Sequence, residues 1–265
     1  MTRWRHALLG IGALGVIACA DLADGPTDAA SLEFEPFAFP SVEIGDSLRD
    51  TTGVARPIRA IARTLGGAEI PEAPLRYAAR ESLVVIDTLT GHLVPDTSLS
   101  PGQINLIARF ASSLQIAARI PTTRGPDTVA RTDTASLVTS PDAIGPTAID
   151  RNSVAFSVQV QGRDRSGTRV NVEHWLVRFA VVSPANPRND TTAAVFLIRE
   201  DNARPSSLDT TANNGLASRR IRVRPDLFPR PGLTVDTVVV EAAVMRRGAP
   251  VPGAPVRIRI PVRRP

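Results

Sequence analysis

The chain has 265 residues, 43% of them hydrophobic and only 4% aromatic, with a formal net charge of +5. Its 31 Lys and Arg residues are all Arg, which excludes Walker-type phosphate loops, Schiff-base chemistry and Lys–Asn crosslinks. One cysteine excludes a disulfide within the chain, and the small aromatic content argues against nucleic acid as a partner.

At the start, Arg3 and Arg5 precede an apolar run over residues 7 to 17 that ends in Val16-Ile17-Ala18-Cys19. A charged region, an apolar region and a small-residue processing site read as an export signal. The run is too short to cross a bilayer core, which needs about 20 helical residues. Val16-Ile17-Ala18-Cys19 resembles the lipobox of bacterial lipoproteins, and that resemblance implies removal of a signal peptide over residues 1–18 and lipidation of Cys19. Several acyl chains on one residue hold a protein stably to a membrane. Ala20, not Asp, follows the cysteine, and the same resemblance then implies the outer membrane or cell surface. An ordinary signal peptide that happens to contain Cys19 is the alternative.

Residues 19–40 are rich in Asp, Ala and Pro without a sustained period and read as a tether. Phe34, Phe37 and Phe39 within it are either an adhesive patch or groups that dock on the first domain. Residues 41–121 form a first β domain, residues 122–150 a Thr-, Asp-, Pro- and Gly-rich linker, and residues 151–265 a second β domain. The apolar period is two throughout: Val154, Phe156, Val158 and Val160 alternate with smaller or polar residues, as do Val256, Ile258, Ile260 and Val262. Short strands are expected near 58–65, 75–79, 83–86, 104–110, 114–120, 170–182, 194–199, 219–224 and 235–246. Residues 184–210 read as an insertion or irregular sheet edge. The fold class is all-β, with two antiparallel sandwiches. Residues 67–76 and 248–257 share Gly, Ala, Pro, Ala, Pro and Arg at one spacing, from common ancestry or from composition bias.

The segment Asp87-Thr88-Leu89-Thr90-Gly91-His92-Leu93-Val94, with Leu83 to Ile86 before it, resembles the bacterial Ig-like group 2 pattern of apolar strand, Asp, Thr-Gly turn and apolar strand. The resemblance extends over residues 41–121 and has the usual aromatic displaced to Tyr77. Thr211-Ala212-Asn213-Asn214-Gly215-Leu216-Ala217 resembles a turn of invasin-type Ig-like modules, and residues 236–244 resemble their penultimate strand.

Chemistry is sparse. Beyond residue 18 only His92 and His174 remain, and no HExxH, CxxC or GxSxG spacing occurs. No catalytic residue, metal ligand or cofactor is expected. His174 reads as a hydrogen-bonded structural residue and Trp175 as core rather than a sugar platform. Asn189-Asp190 and Asp201-Asn202 read as loop-forming residues rather than calcium ligands. Residues 21–50 are strongly acidic and residues 216–265 strongly basic. Arg220, Arg222, Arg224, Arg257 and Arg259 alternate with apolar residues and are the candidate anion-binding set, forming one patch if their strands share a sheet. The expected role is a lipid-anchored structural or adhesion-type interaction protein without catalysis, whose partner is a protein or an anionic polysaccharide. The alternatives are a glycan- or lipopolysaccharide-binding module and an accessory subunit of a secreted hydrolase.

Overall fold

A computed structural model of the chain describes residues 29–111, 114–132, 152–224 and 227–263. The expected signal peptide, Cys19 and most of the expected linker lie outside these residues. Among the described residues there is no helix, and therefore none long and apolar enough to cross a membrane.

The first set of strands is β1 (Ser31–Phe34), β2 (Val42–Glu43), β3 (Ala60–Arg63), β4 (Leu75–Ala79), β5 (Val84–Ile86), β6 (Leu93–Pro95), β7 (Gly102–Phe110) and β8 (Leu114–Thr123). One sheet has the order β2-β8-β7-β4, with β2 parallel to β8 and the other pairs antiparallel. Opposite it stand the pairs β1-β3 and β5-β6, which meet where Ile58 N–H donates to the Gly91 carbonyl at 3.0 Å. Between these layers lie Val42, Leu48, Ile58, Tyr77, Leu93, Ile104, Leu106 and Ile120. The Tyr77 hydroxyl accepts from Ala60 N–H at 3.1 Å, so the displaced aromatic satisfies its polar tip while the ring fills the core.

The second set is β9 (Pro126–Arg131), β10 (Phe156–Arg163), β11 (Arg169–Asn171), β12 (Leu176–Ser183), β13 (Val195–Ile198), β14 (Leu208–Thr210), β15 (Leu216–Val223), β16 (Val235–Ala243), β17 (Met245–Arg246), β18 (Ala249–Pro250) and β19 (Val256–Arg263). One sheet runs β9-β10-β15-β13, with β11 extending the far end of β10, and the other runs β14-β12-β16-β19. With the short β2, β11, β14 and β17-β18 set aside, β1, β3, β6 and β5 stand against β4, β7 and β8, and β9, β10, β15 and β13 against β12, β16 and β19, which is the immunoglobulin-type arrangement. Both strand sets have it, so the fold is an all-β Ig-like sandwich architecture. The second core includes Phe156 and Phe179 in an edge contact at 6.0 Å.

Alternation alone locates most of the long strands, and the misses have local causes. Residues 170–182 do not form one strand, because His174 takes φ 56° and turns the chain between β11 and β12. Val154 lies before β10 and is 53% exposed. The expected tether and linker both contribute strands. Leu32 in β1 is buried and Phe34 packs on the first core, while Val129 in β9 is buried in the second. Single buried anchors of this kind leave no period to detect. Residues 184–210 hold β13, all four residues of which are buried. Asn186 organises the loop before it: its side-chain amide donates to the Asp190 and Val195 carbonyls at 2.9 and 2.8 Å.

The two similar segments fold alike locally. Gly67 and Gly248 both take positive φ, as do Glu72 and Gly253 at the next matching turn. Ile70 and Val251 are both buried, with N–H groups bonded to Ala62 and Val244. One copy connects β3 to β4 and the other connects β16 to β19. These connections are not equivalent in the two sandwiches, so the recurrence belongs to a turn and not to corresponding parts of a duplicated domain.

The Asp87 turn forms as its sequence indicates. The carboxylate accepts from Leu89 and Thr90 N–H at 2.8 and 3.0 Å, and Gly91 takes φ 76°. A Cβ on Gly91 would also stand 2.4 Å from the Ile58 carbonyl oxygen. Gly91→Ala should therefore lower the free energy of unfolding by about 1–3 kcal/mol or more, read from the urea midpoint at unchanged slope. A neutral substitution would contradict this packing.

Candidate functional site

Only Arg124 and Gly125 separate β8 from β9, and around this short connection the two sandwiches meet. The second contributes the hairpin β17-β18. Its turn residues Arg247 and Gly248 take φ 53° and 80°, as a two-residue turn matched to strand twist requires. The first contributes the loop after β2. Gly53 in that loop lies against the hairpin turn so closely that a Cβ would fall 2.2 Å from Gly248 N. Contact of this kind is available only to backbone without side chains.

Charge fixes the same contact. The Glu43 side chain is 6% exposed, and its Oε1 accepts from Arg246 Nη2 at 2.6 Å and Arg247 Nη2 at 3.0 Å. Arg247 Nε also donates to Asp46 Oδ2 at 2.8 Å. Asp46 further accepts from Ser47 N–H and from two nitrogens of Arg49. Burial pushes the Asp46 carboxyl up, but the hydrogen bonds from Arg49 and Ser47 and the charge of Arg247 outweigh it and hold the group below the usual carboxylate range. Its folded value is depressed, so the stability it contributes is present above its ordinary value of 3.8 and is lost as pH falls through the lowered one. The Arg246 guanidinium is raised, chiefly by its hydrogen bonds to Glu43. Further contacts cross the junction: Ser41 Oγ donates to the His174 carbonyl at 2.8 Å, and Arg165 Nη2 donates to the Thr97 carbonyl at 2.7 Å.

Beside this network is a cleft of about 340 Å³. Phe39 and Trp175 meet there at 5.1 Å in a T-shaped pair, and Phe39 packs on both cores. Trp175, just before β12, is 5% exposed, and its indole N–H donates to the Met245 carbonyl at 3.1 Å. It is core, not a platform. His174 beside it is exposed and bonds through its backbone.

The arginine set does not form one patch. Arg220 and Arg222 lie on β15 and Arg224 just after it, whereas Arg257 and Arg259 lie on β19 in the opposite layer. The outward faces of two packed sheets point away from each other. Arg222 donates to Asn152 at 2.9 Å, Arg224 to the Thr192 carbonyl at 3.0 Å and Arg257 to Glu241 at 2.8 Å, while Arg220 approaches Glu200 at 4.0 Å. Arg259 is exposed. Arg219 faces inward at 3% exposure, paired with Asp209 at 3.0 Å and over the Phe179 ring at 5.9 Å. Among the described residues no group of three or more His, Cys, Asp or Glu side chains could hold a metal ion.

Glu43, Asp46, Arg246 and Arg247 were not singled out by spacing, though the acidic N-terminal and basic C-terminal stretches carry the signal. Glu43→Gln should cost about 1.5–3 kcal/mol of stability, the range for hydrogen bonds to charged groups. A double-mutant cycle with Arg247→Gln should give a coupling of about 0.5–3 kcal/mol. Additive single effects would contradict a shared network. The loss in Asp46→Asn, measured against wild type, should shrink as pH falls below 3.8.

No family model and no curated protein matches the chain. Solved structures similar to it include domains 4–9 of the surface layer protein SbsC, at 11% identity over 89% of this chain and 30% of that one, with a TM-score of 0.30. The D0-D1 domain of intimin has 13% identity, coverage of 89% and 99%, and a TM-score of 0.29. The Yersinia pseudotuberculosis adhesin InvE has 12% identity, coverage of 90% and 61%, and a TM-score of 0.33. The chain thus spans under a third of the SbsC fragment. At such scores the strand order, not the superposition, assigns the fold.

Proposed function

We propose that the chain is an exported, non-catalytic interaction protein of a bacterial surface, in which two Ig-like domains act as one rigid arm. The observation that carries this reading is the junction: Glu43 shared by Arg246 and Arg247, beside the backbone contact of Gly53 with Gly248. A short, charge-matched and close-packed joint suits presentation of a surface at a set angle. Loose beads on a string would not need it. Sandwich folds host many functions, so the role rests on this joint and on the cleft beside it.

The same reading places the arm on a membrane through lipid on Cys19, the lone cysteine closing the apolar run, with the outer membrane or cell surface as its site. A protein or an anionic polysaccharide is the proposed partner. Mass spectrometry of the mature N-terminus should find Cys19 acylated, and unmodified Cys19 in membrane-extracted protein would contradict the anchor. Small-angle scattering of the chain should fit one extended shape at neutral pH. A profile that requires an ensemble of interdomain angles would contradict the rigid arm.

A further inference from the structure

We infer that the junction cleft binds a small apolar carboxylate, either free or as the C-terminal residue of a partner peptide. The inference rests on the junction being rigid, as proposed above, because the cleft is built from both sandwiches. Its floor is the Phe39–Trp175 pair. Leu176, Met245 and Arg178 on the outward face of β12 and the adjoining hairpin form one wall, and the loop after β2 forms the other. Met245 is 39% exposed, an open thioether that adapts to apolar ligands. A volume of about 340 Å³ is at the lower end of small-molecule sites, about 300–1,000 Å³.

The polar rim selects the sign of the ligand. Its carboxylates are spent: Asp46 accepts from Ser47, Arg49 and Arg247, and Asp50 from Thr52, Val54 and Arg56. Glu43 is held by Arg246 and Arg247. Arg178 is exposed, and among the described residues its side chain makes no ion pair or hydrogen bond. A guanidinium presents five donors in a fork that matches a carboxylate bidentately. The charge left unpaired in the cleft is therefore positive, beside the neutral hydroxyls of Ser47 and Thr51. An apolar cation would meet a guanidinium of its own sign, and an apolar alcohol would leave the fork half used.

The test is an NMR titration of the chain from residue 19 onward, followed at the indole N–H of Trp175, the one of the two tryptophans in the sequence that lies beyond residue 18. Octanoate should shift the Trp175 signal saturably, with octan-1-ol and octylammonium at least about tenfold weaker. Arg178→Gln, an exposed change that leaves the core alone, should remove the preference of octanoate over octanol. N-acetyl-Gly-Phe compared with its amide reports whether a peptide C-terminus is accepted. If the peptide acid binds with its amide silent, the peptide source stands; if only octanoate binds, the free carboxylate stands. Equal response to all three octyl probes, or unchanged octanoate affinity in Arg178→Gln, overturns the inference. If nothing binds while scattering of the same sample fits a single shape, the site alone fails. If the scattering requires many angles, the rigid arm fails first.

Discussion

A glutamate carboxylate taken almost wholly out of water is costly to bury unless it is paired and hydrogen-bonded where it stands. Glu43 meets that demand with Arg246 and Arg247, about two hundred residues later in the chain. Much of the architecture follows from this pairing. It fixes the β17-β18 hairpin against the loop after β2 and brings Gly248 onto Gly53. It also sets Arg246 over Gly125, where a Cβ would stand 2.4 Å from the guanidinium. The turn of the hairpin, the glycines beneath it and the two-residue connection are thus all conditions for one ionic contact.

That contact also shows how a sequence signal can be plain and still point the wrong way. The acidic N-terminal and basic C-terminal stretches suggest an outward-facing surface for an anion. Part of the asymmetry is instead answered within the chain, with Glu43 and Asp46 paired to Arg246 and Arg247. Alternation cannot reveal this, because it states which side of a strand a residue occupies but not which sheet the strand joins. The same limit separates Arg222 from Arg259, which lie on different layers.

Local chemistry was more legible. The Asp87 turn, the alternation of β10 and β19 and the burial of Trp175 can all be read from residue type and spacing. β1 and β2 cannot, since four and two residues here leave no sustained period and the strands are held by the partners they pair with. Phe39 carries no period and yet joins both cores. The cleft was illegible for the same reason: its floor and rim come from residues 39, 46, 175, 178 and 245, which only the meeting of two sandwiches assembles.

The central claim is that the joint is rigid because Arg246 and Arg247 pair with the buried carboxylates of Glu43 and Asp46. Spin labels at Leu65→Cys, a position 83% exposed, and at exposed Arg188→Cys, in a chain with Cys19 replaced, report the distance between the two sandwiches by pulsed electron resonance. The account predicts one narrow distance distribution at neutral pH that broadens when Glu43→Gln is added. A distribution already broad with Glu43 in place, or one that Glu43→Gln leaves unchanged, would contradict it.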